Sequence, residues 1–215
     1  MNERLRFALR AWLYGLIAVI VCTALLLPLL AFGQIPREAE KWRRILTQQV
    51  RLEWGLDAPV ATFAAQVQQE SSFNPDARST AGALGIAQFL PATAVWISGA
   101  YSALGPSDPL NPQWALRALA AYDLDLWKAV SAIDDCNRAA KMLSSYNGGS
   151  KWIPRDEKLA AANGLWPEYW WDSVETVNAG RSSAAWKENR AYPRAILLTN
   201  EPRYVAALWG RGLCD

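Results

Sequence analysis

A run of 23 residues without a charged side chain, residues 11–33, constrains this chain more than any other feature of its sequence. At about 1.5 Å per residue a helix of this length reaches roughly 34 Å, enough to cross a hydrocarbon core of ~30 Å. Trp12 and Tyr14 lie near one end, where amphipathic rings favour the membrane interface. We therefore predict that residues 1–33 are a short N-terminal tip followed by a transmembrane or signal-anchor segment.

The fate and orientation of this segment stay open on sequence grounds. Ala31 and Gly33 match the small-x-small pattern of a signal peptidase site, and three arginines precede the apolar run. The run is longer than a usual secretory core, which favours a retained anchor over a cleaved one. Basic residues also follow the run, so charge alone does not orient it.

The charge balance and the missing histidine exclude several classes of function. The chain has 215 residues and a formal net charge of +2, which gives no reason to expect a nucleic-acid partner. It has no histidine, which excludes Ser-His-Asp and Cys-His hydrolases and every imidazole metal site. We predict no metal and no cofactor. Cys136 and Cys214 are either paired, if they lie outside the cytosol, or free buried thiols.

Beyond the apolar run, the hydrophobic pattern is helical, and no long alternation typical of strands occurs. The fold class is therefore mostly α. Residues 34–55 are predicted to form a helical stalk, and residues 153–215 a tryptophan-rich extension that packs on the central domain. The pattern predicts helices over residues 58–70, 86–99, 114–128, 131–146 and 202–208.

Glu70 is the strongest candidate for proton chemistry. In a chain without histidine, carboxylates are the natural proton carriers. Glu70 ends an apolar helix directly before a polar, glycine-rich loop. A carboxyl at such an edge is partly desolvated, which raises its pKa. The alternative is an ordinary solvated glutamate at a helix end.

Three motifs in order decide between these alternatives. They read ESSFNPDARS from residue 70, GALGIAQ from residue 82 and SYNGG from residue 145. Together they resemble the soluble lytic transglycosylase (SLT) domain, a lysozyme-like fold that cleaves peptidoglycan. The resemblance covers roughly residues 56–152, which we take as the catalytic domain. The later stretch ENRAYPRAILL resembles tails of some members, and no functional residue is assigned within it.

The resemblance implies a role for each motif residue. Glu70 would be the sole general acid and then the general base, while Ser71 would support Glu70 or the substrate by hydrogen bonding. Gln88 would contact the N-acetyl region of the sugar. Tyr146 would point its hydroxyl at Glu70, and Asn147 would hold the adjacent turn. Many members have methionine where this chain has Ala87, which affects the floor of the cleft.

The implied activity is non-hydrolytic cleavage of the bond between N-acetylmuramic acid and N-acetylglucosamine, giving 1,6-anhydro ends. The implied partner is the peptidoglycan strand, and the implied location is the inner membrane, single-pass. The catalytic domain would lie in the periplasm, with the tip before residue 11 in the cytoplasm. Wall remodelling, a conjugation or secretion machine, and phage lysis by an endolysin all fit such a chain.

Two other functions remain open. Asp76 could serve a hydrolytic muramidase as a second carboxylate, although capping of the loop after Pro75 is the favoured interpretation. An inactive scaffold that binds glycan strands is the other alternative. Three tryptophans, Trp96, Trp152 and Trp166, are candidates for stacking on sugar faces, with core packing as the competing explanation for each.

Overall fold

The computed structural model describes residues 35–214, and this part of the chain is almost entirely helical. Its α-helices are α1 (Arg37–Trp54), α2 (Val60–Ser71), α3 (Pro91–Ala100), α4 (Pro112–Ala129), α5 (Asp135–Gly148), α6 (Trp152–Ala162), α7 (Ser183–Pro193) and α8 (Glu201–Ala206). A π-helix, Arg194–Asn200, joins α7 to α8, and two short 3₁₀ turns cover Ser102–Leu104 and Val174–Thr176. The prediction of a mostly α fold is confirmed.

No helix within residues 35–214 is long and apolar enough to cross a membrane. The predicted transmembrane segment, residues 11–33, lies outside the described residues.

Side-chain caps set where several helices begin. Asn111 accepts a hydrogen bond from the backbone N–H of Gln113 at 3.0 Å, so α4 begins at Pro112. Asp134 accepts one from the backbone N–H of Asn137 at 2.7 Å, so α5 begins at residue 135 and not at 131 as predicted. The predicted helix over residues 86–99 is also wrong at its start, because Leu84 forms a bridge with Phe89 and the helix begins only at Pro91.

Residues 34–55, expected to be a helical stalk, contain α1. This helix packs along α4 and α2, and it buries Leu46 and Val50 completely. The indole N–H of Trp54, its last residue, donates to the carbonyl of Ala120 in α4 at 2.9 Å. The apolar stripe of α1 is therefore part of the core that also supports α2.

The C-terminal residues complete the fold around α2 and α5. Helix α7 packs on α5, while the π-helix and α8 pack on α2. Cys136 of α5 is disulfide-bonded to Cys214, with their Cα atoms 4.4 Å apart, which resolves the alternatives left open for these thiols. Residues 35–214 fall within one compact unit.

Candidate active site

Glu70, the predicted catalytic residue, lines a cleft of about 540 Å³. The lining comes from α2, α3, α4, α5, α7 and the loop that carries the second motif. Among the lining residues are Glu70, Gln88, Tyr122, Tyr146, Asn147 and Glu188. Four of the five residues predicted for the site, all except Ser71, therefore line one cavity.

Glu70 is held at the carboxyl end of α2 by the way this helix stops. Ser72 and Phe73 adopt left-handed backbone angles, with φ of 52° and 64°, and the Phe73 ring is buried beneath the turn. The hydroxyl of Tyr192 in α7 donates a hydrogen bond to Oε1 of Glu70. The carboxyl is thus fixed from two sides, by its own helix end and by α7.

The surroundings of Glu70 raise its pKa to near neutrality. Burial raises the pKa of Glu70 from 4.5 to about 7, because removal of water penalises the charged form. The hydrogen bond from Tyr192 acts in the opposite direction, and the negative charge of Glu188 raises the pKa further. A carboxyl with a pKa near 7 suits both the donation and the removal of a proton at neutral pH.

Ser71 and Gln88 both organise the loop of the second motif. The hydroxyl of Ser71 donates to the carbonyl of Ile86 at 2.8 Å. The side-chain nitrogen of Gln88 donates to the carbonyl of Gly85 at 2.8 Å and to that of Ala77 at 3.3 Å. Ser71 therefore ties Glu70's helix to the loop, while Gln88 folds back on the loop and borders the cleft.

Gly85 is required by the close approach of another segment. A Cβ atom at this position would lie 1.9 Å from the carbonyl oxygen of Pro109, and its φ of 74° is in the left-handed region. The second-motif loop consequently rests directly on the segment that precedes α4.

Tyr146 does not make the contact predicted for it. Its hydroxyl donates to the carbonyl of Ala87 at 2.8 Å, and the hydroxyl that contacts Glu70 belongs to Tyr192. Tyr146 still lines the cleft, and its ring packs against Phe89 and Tyr122. The reason is geometric: Tyr192 lies at the end of α7, directly before the π-helix that packs on α2, whereas the hydroxyl of Tyr146 in α5 reaches the second-motif loop.

Tyr192 was missed because it lies far from the three motifs in the sequence. It is separated from Glu70 by 122 positions, in a region where the hydrophobic pattern is weak. The stretch ENRAYPRAILL, which resembles tails of some members, was the available signal.

Asn147, which the resemblance implied would hold the turn at the end of α5, is linked through its side chain to α7. Its side-chain oxygen accepts a hydrogen bond from Nδ2 of Asn189 at 3.1 Å. Asn189 is buried and also exchanges hydrogen bonds with Ser144, both at 2.8 Å. This connection fastens α7, and with it Tyr192, to the wall of the cleft.

The second carboxylate of the cleft is Glu188 and not Asp76. Asp76 is exposed and does not line the cleft, and its backbone N–H donates to the side chain of Asn74 at 3.0 Å in a turn. Glu188 lies four residues before Tyr192 on α7, at the rim of the same cavity as Glu70.

The three candidate tryptophans have different surroundings. Trp96 is 55% exposed and contacts the edge of Tyr122, which lines the cleft. Trp152 borders a smaller cavity of about 270 Å³ that shares Asn147 and Glu188 with the cleft. Trp166 is exposed and lines neither cavity. Trp96 is the best placed of the three to extend the cleft with an aromatic surface.

Two other features of residues 35–214 do not compete with this cleft. A larger cavity of about 710 Å³ lies between α1, α4 and the segment before α4, and the one carboxyl among its lining residues, Asp108, is exposed. Within the described residues, no group of three or more cysteine, aspartate or glutamate side chains is arranged to hold a metal ion. Within the described residues, Glu70 is therefore the best candidate for proton transfer.

Comparison with solved structures supports the predicted fold. The 70 kDa soluble lytic transglycosylase SLT70 from Escherichia coli superposes with a TM-score of 0.52 at 20% sequence identity. The match covers 78% of this chain and 25% of that chain. At this identity the likeness concerns the fold alone.

Curated relatives are larger proteins. The membrane-bound lytic murein transglycosylase F of Shewanella loihica is 29% identical over 140 residues, which cover 65% of this chain and 28% of the relative. The protein of the same name from Shewanella halifaxensis is 33% identical over 129 residues, or 60% of this chain and 26% of the relative. The chain thus spans about a quarter of the length of these relatives.

The model of the transglycosylase SLT domain family matches residues 51–169, more than half of the chain and beyond both ends of the region that the motifs indicated. The resemblance inferred from the motifs is confirmed, and the chain belongs to the transglycosylase SLT domain family.

Proposed function

We propose that this chain is a peptidoglycan lytic transglycosylase, which cleaves the β-1,4 bond between N-acetylmuramic acid and N-acetylglucosamine without water. The observation that carries the proposal is Glu70, a carboxyl with a pKa of about 7 that is bonded to Tyr192 at the cleft. Family membership and relatives named as lytic murein transglycosylases support the substrate class.

The reaction needs one carboxyl that acts first as a general acid and then as a general base. Protonated Glu70 gives its proton to the glycosidic oxygen as the bond to C1 breaks, and the N-acetyl oxygen of the sugar stabilises C1. The resulting carboxylate then removes the proton from the 6-hydroxyl of the same sugar, whose oxygen attacks C1. The product carries a 1,6-anhydro bond, and Glu70 is protonated again.

Neighbouring side chains are assigned according to where they lie. Gln88 and Asn147 would orient the sugar, because both line the cleft beside Glu70. Tyr146 would contribute an apolar ring to the wall, since its hydroxyl is already bonded to Ala87. Ser71 would act on the loop and not on the sugar, because its hydroxyl is bonded to Ile86.

The test is digestion of purified sacculi by the full chain, with separation and mass analysis of the released muropeptides. The wild type should release 1,6-anhydro muropeptides, and Glu70→Gln, which keeps the shape of the side chain, should release essentially none. Sacculus binding without any soluble product would instead favour an inactive scaffold. Retention of product release by Glu70→Gln would overturn the assignment of the catalytic residue.

Hydrolysis is the second candidate, and Glu188 is the observation that favours it. A second carboxylate in the cleft could activate a water molecule, as in inverting glycosidases. A hydrolase would yield reducing ends heavier by one water, and Glu188→Gln would stop the reaction. In the proposed mechanism Glu188→Gln keeps the anhydro product and only lowers the pKa of Glu70, because it removes a nearby negative charge.

We place the domain outside the cytosol, tethered to the inner membrane by residues 11–33. The disulfide between Cys136 and Cys214 fits an oxidising compartment. In intact spheroplasts, added protease should digest residues 35–214, and a thiol reagent should not label these cysteines without prior reduction. Protection from protease would contradict this location.

A further inference from the structure

Two fully buried polar side chains lie behind the catalytic carboxyl. Gln66 of α2 and Asp123 of α4 are both 0% exposed. The Gln66 amide lies beside the Asp123 carboxyl. None of the four side-chain oxygen and nitrogen atoms makes a hydrogen bond of normal geometry within the described structure.

This pair costs stability where an apolar pair would not. Burial of polar groups without good hydrogen bonds is unfavourable, and a leucine at the position of Asp123 would avoid that cost. Buried polar groups without good hydrogen bonds are expected mainly at functional sites, where activity is favoured over stability. The location fits, because Gln66 precedes Glu70 by one helical turn on the same face of α2.

Burial, together with the negative charge of Glu70, disfavours the charged form of Asp123. Burial raises its pKa well above the usual value and the charge of Glu70 raises it further, whereas Gln66 lowers it. The other titratable groups nearby are acidic as well: Tyr122, Tyr146, Tyr192 and, across the cleft, Glu188. The α1 carboxylate Glu53 is paired with Arg117 of α4. Glu70 therefore loses its proton first, and Asp123 keeps its own.

We infer that Asp123 acts as a neutral carboxylic acid behind Glu70 and, with Gln66, positions and stabilises the carboxylate that Glu70 becomes. Asp123 does not line the cleft, so it is a positioning residue and does not touch the substrate. Its proton stays in place throughout, while the proton of Glu70 passes to the glycosidic oxygen and is replaced from the 6-hydroxyl. The inference rests on the proposed function.

The experiment compares Asp123→Leu and Asp123→Asn in the full chain, with pH profiles of muropeptide release and thermal unfolding. Asp123→Leu should lower kcat by about tenfold with KM unchanged, because stabilisation of the Glu70 carboxylate is lost. The fall of kcat/KM with rising pH should move to higher pH for the same reason. At neutral pH the same variant should also have a higher Tm. Replacement of a purely structural residue would instead lower both the Tm and the turnover.

Asp123→Asn, a neutral side chain of the same shape, should leave the pH profile in place and keep most of the turnover. Asp125→Asn is the matched control on the same helix, since Asp125 is exposed and accepts only the Tyr101 hydroxyl at 2.5 Å. Two outcomes overturn the inference. One is a kcat and a pH profile in Asp123→Leu that equal those of the wild type. The other is a pH profile that moves to lower pH in Asp123→Asn, because that shift would mean that a negative charge had been lost.

A spectroscopic measurement decides the matter even if Asp123→Leu fails to fold. In Glu70→Gln at a pH of about 8, infrared spectra should show the carbonyl stretch of a protonated carboxylic acid, and Asp123→Asn should remove it. Its absence from the parent would overturn the inference. Activity in Glu70→Gln would refute the proposed function itself, whereas an inactive Glu70→Gln with an unaffected Asp123→Leu refutes only the role of Asp123.

Discussion

The hydroxyl of Tyr192 lowers the pKa of Glu70, because the hydrogen bond that it donates favours the charged carboxylate. Tyr192→Phe should therefore raise the pKa of Glu70 above about 7 and shift the alkaline fall of kcat/KM to higher pH. Turnover should drop by about tenfold, since the carboxylate that forms after proton donation loses its donor. The measurement is the pH profile of muropeptide release.

Tyr146→Phe is the control for this prediction. It removes a hydroxyl from the same cleft, but one that is bonded to the carbonyl of Ala87. The pH at which its kcat/KM falls should stay close to that of the wild type. Equal shifts in both variants would show that the Tyr192 hydrogen bond has no specific effect on Glu70.

Burial of Glu70 also links stability to pH. Its folded pKa of about 7 lies above its usual value of 4.5, so its contribution to stability is complete below 4.5 and is lost as the pH rises through 7. Glu70→Gln should consequently be more stable than the wild type at a pH of about 8, by about 1–3 kcal/mol, and no more stable at about pH 4. Urea denaturation at the two pH values checks the difference.

At the scale of elements, one buried carboxylate joins α6 to α7. Asp156 is fully buried and accepts hydrogen bonds from Arg181 at 2.6 Å and from Arg190 at 2.8 Å. Asp156→Asn would leave two buried guanidinium groups without a counter-charge, which should destabilise the fold by about 3–5 kcal/mol in urea denaturation. Glu38→Gln is the control, because Glu38 and its partner Lys41 are both exposed and loss of their pair should change stability by less than about 1 kcal/mol.

The helices also show which parts of the fold and the site the sequence alone could predict. The ends of α2 and α5, with Glu70 and Asn147, follow from helical periodicity and turn residues, which act locally. The contact of Tyr192 with Glu70 and the burial of Asp123 beside Gln66 depend on which helices cross, and one sequence does not determine that. Helices α6 and α7 escaped prediction because their buried faces include Asp156, Asn189 and Arg190, which a hydrophobic pattern does not register.

For the whole molecule, the disulfide fastens the C-terminus to α5. Cys136 and Cys214 are 78 positions apart, and closing a loop of that length removes entropy from the unfolded chain worth about 4 kcal/mol. The double variant Cys136→Ser, Cys214→Ser should lose about this much unfolding free energy in urea. Cys22→Ser is the control, and stability equal to the wild type in the double variant would contradict the prediction.

The central claim is that one carboxyl cleaves the glycan without water, and isotope labelling tests it most directly. Sacculi digested by the full chain in H₂¹⁸O should release muropeptides that end in 1,6-anhydro sugars and carry no ¹⁸O at C1, because the attacking oxygen is the substrate's own 6-hydroxyl. Glu70→Gln should release none of them. Reducing ends labelled with ¹⁸O would contradict the account and identify the chain as a hydrolase.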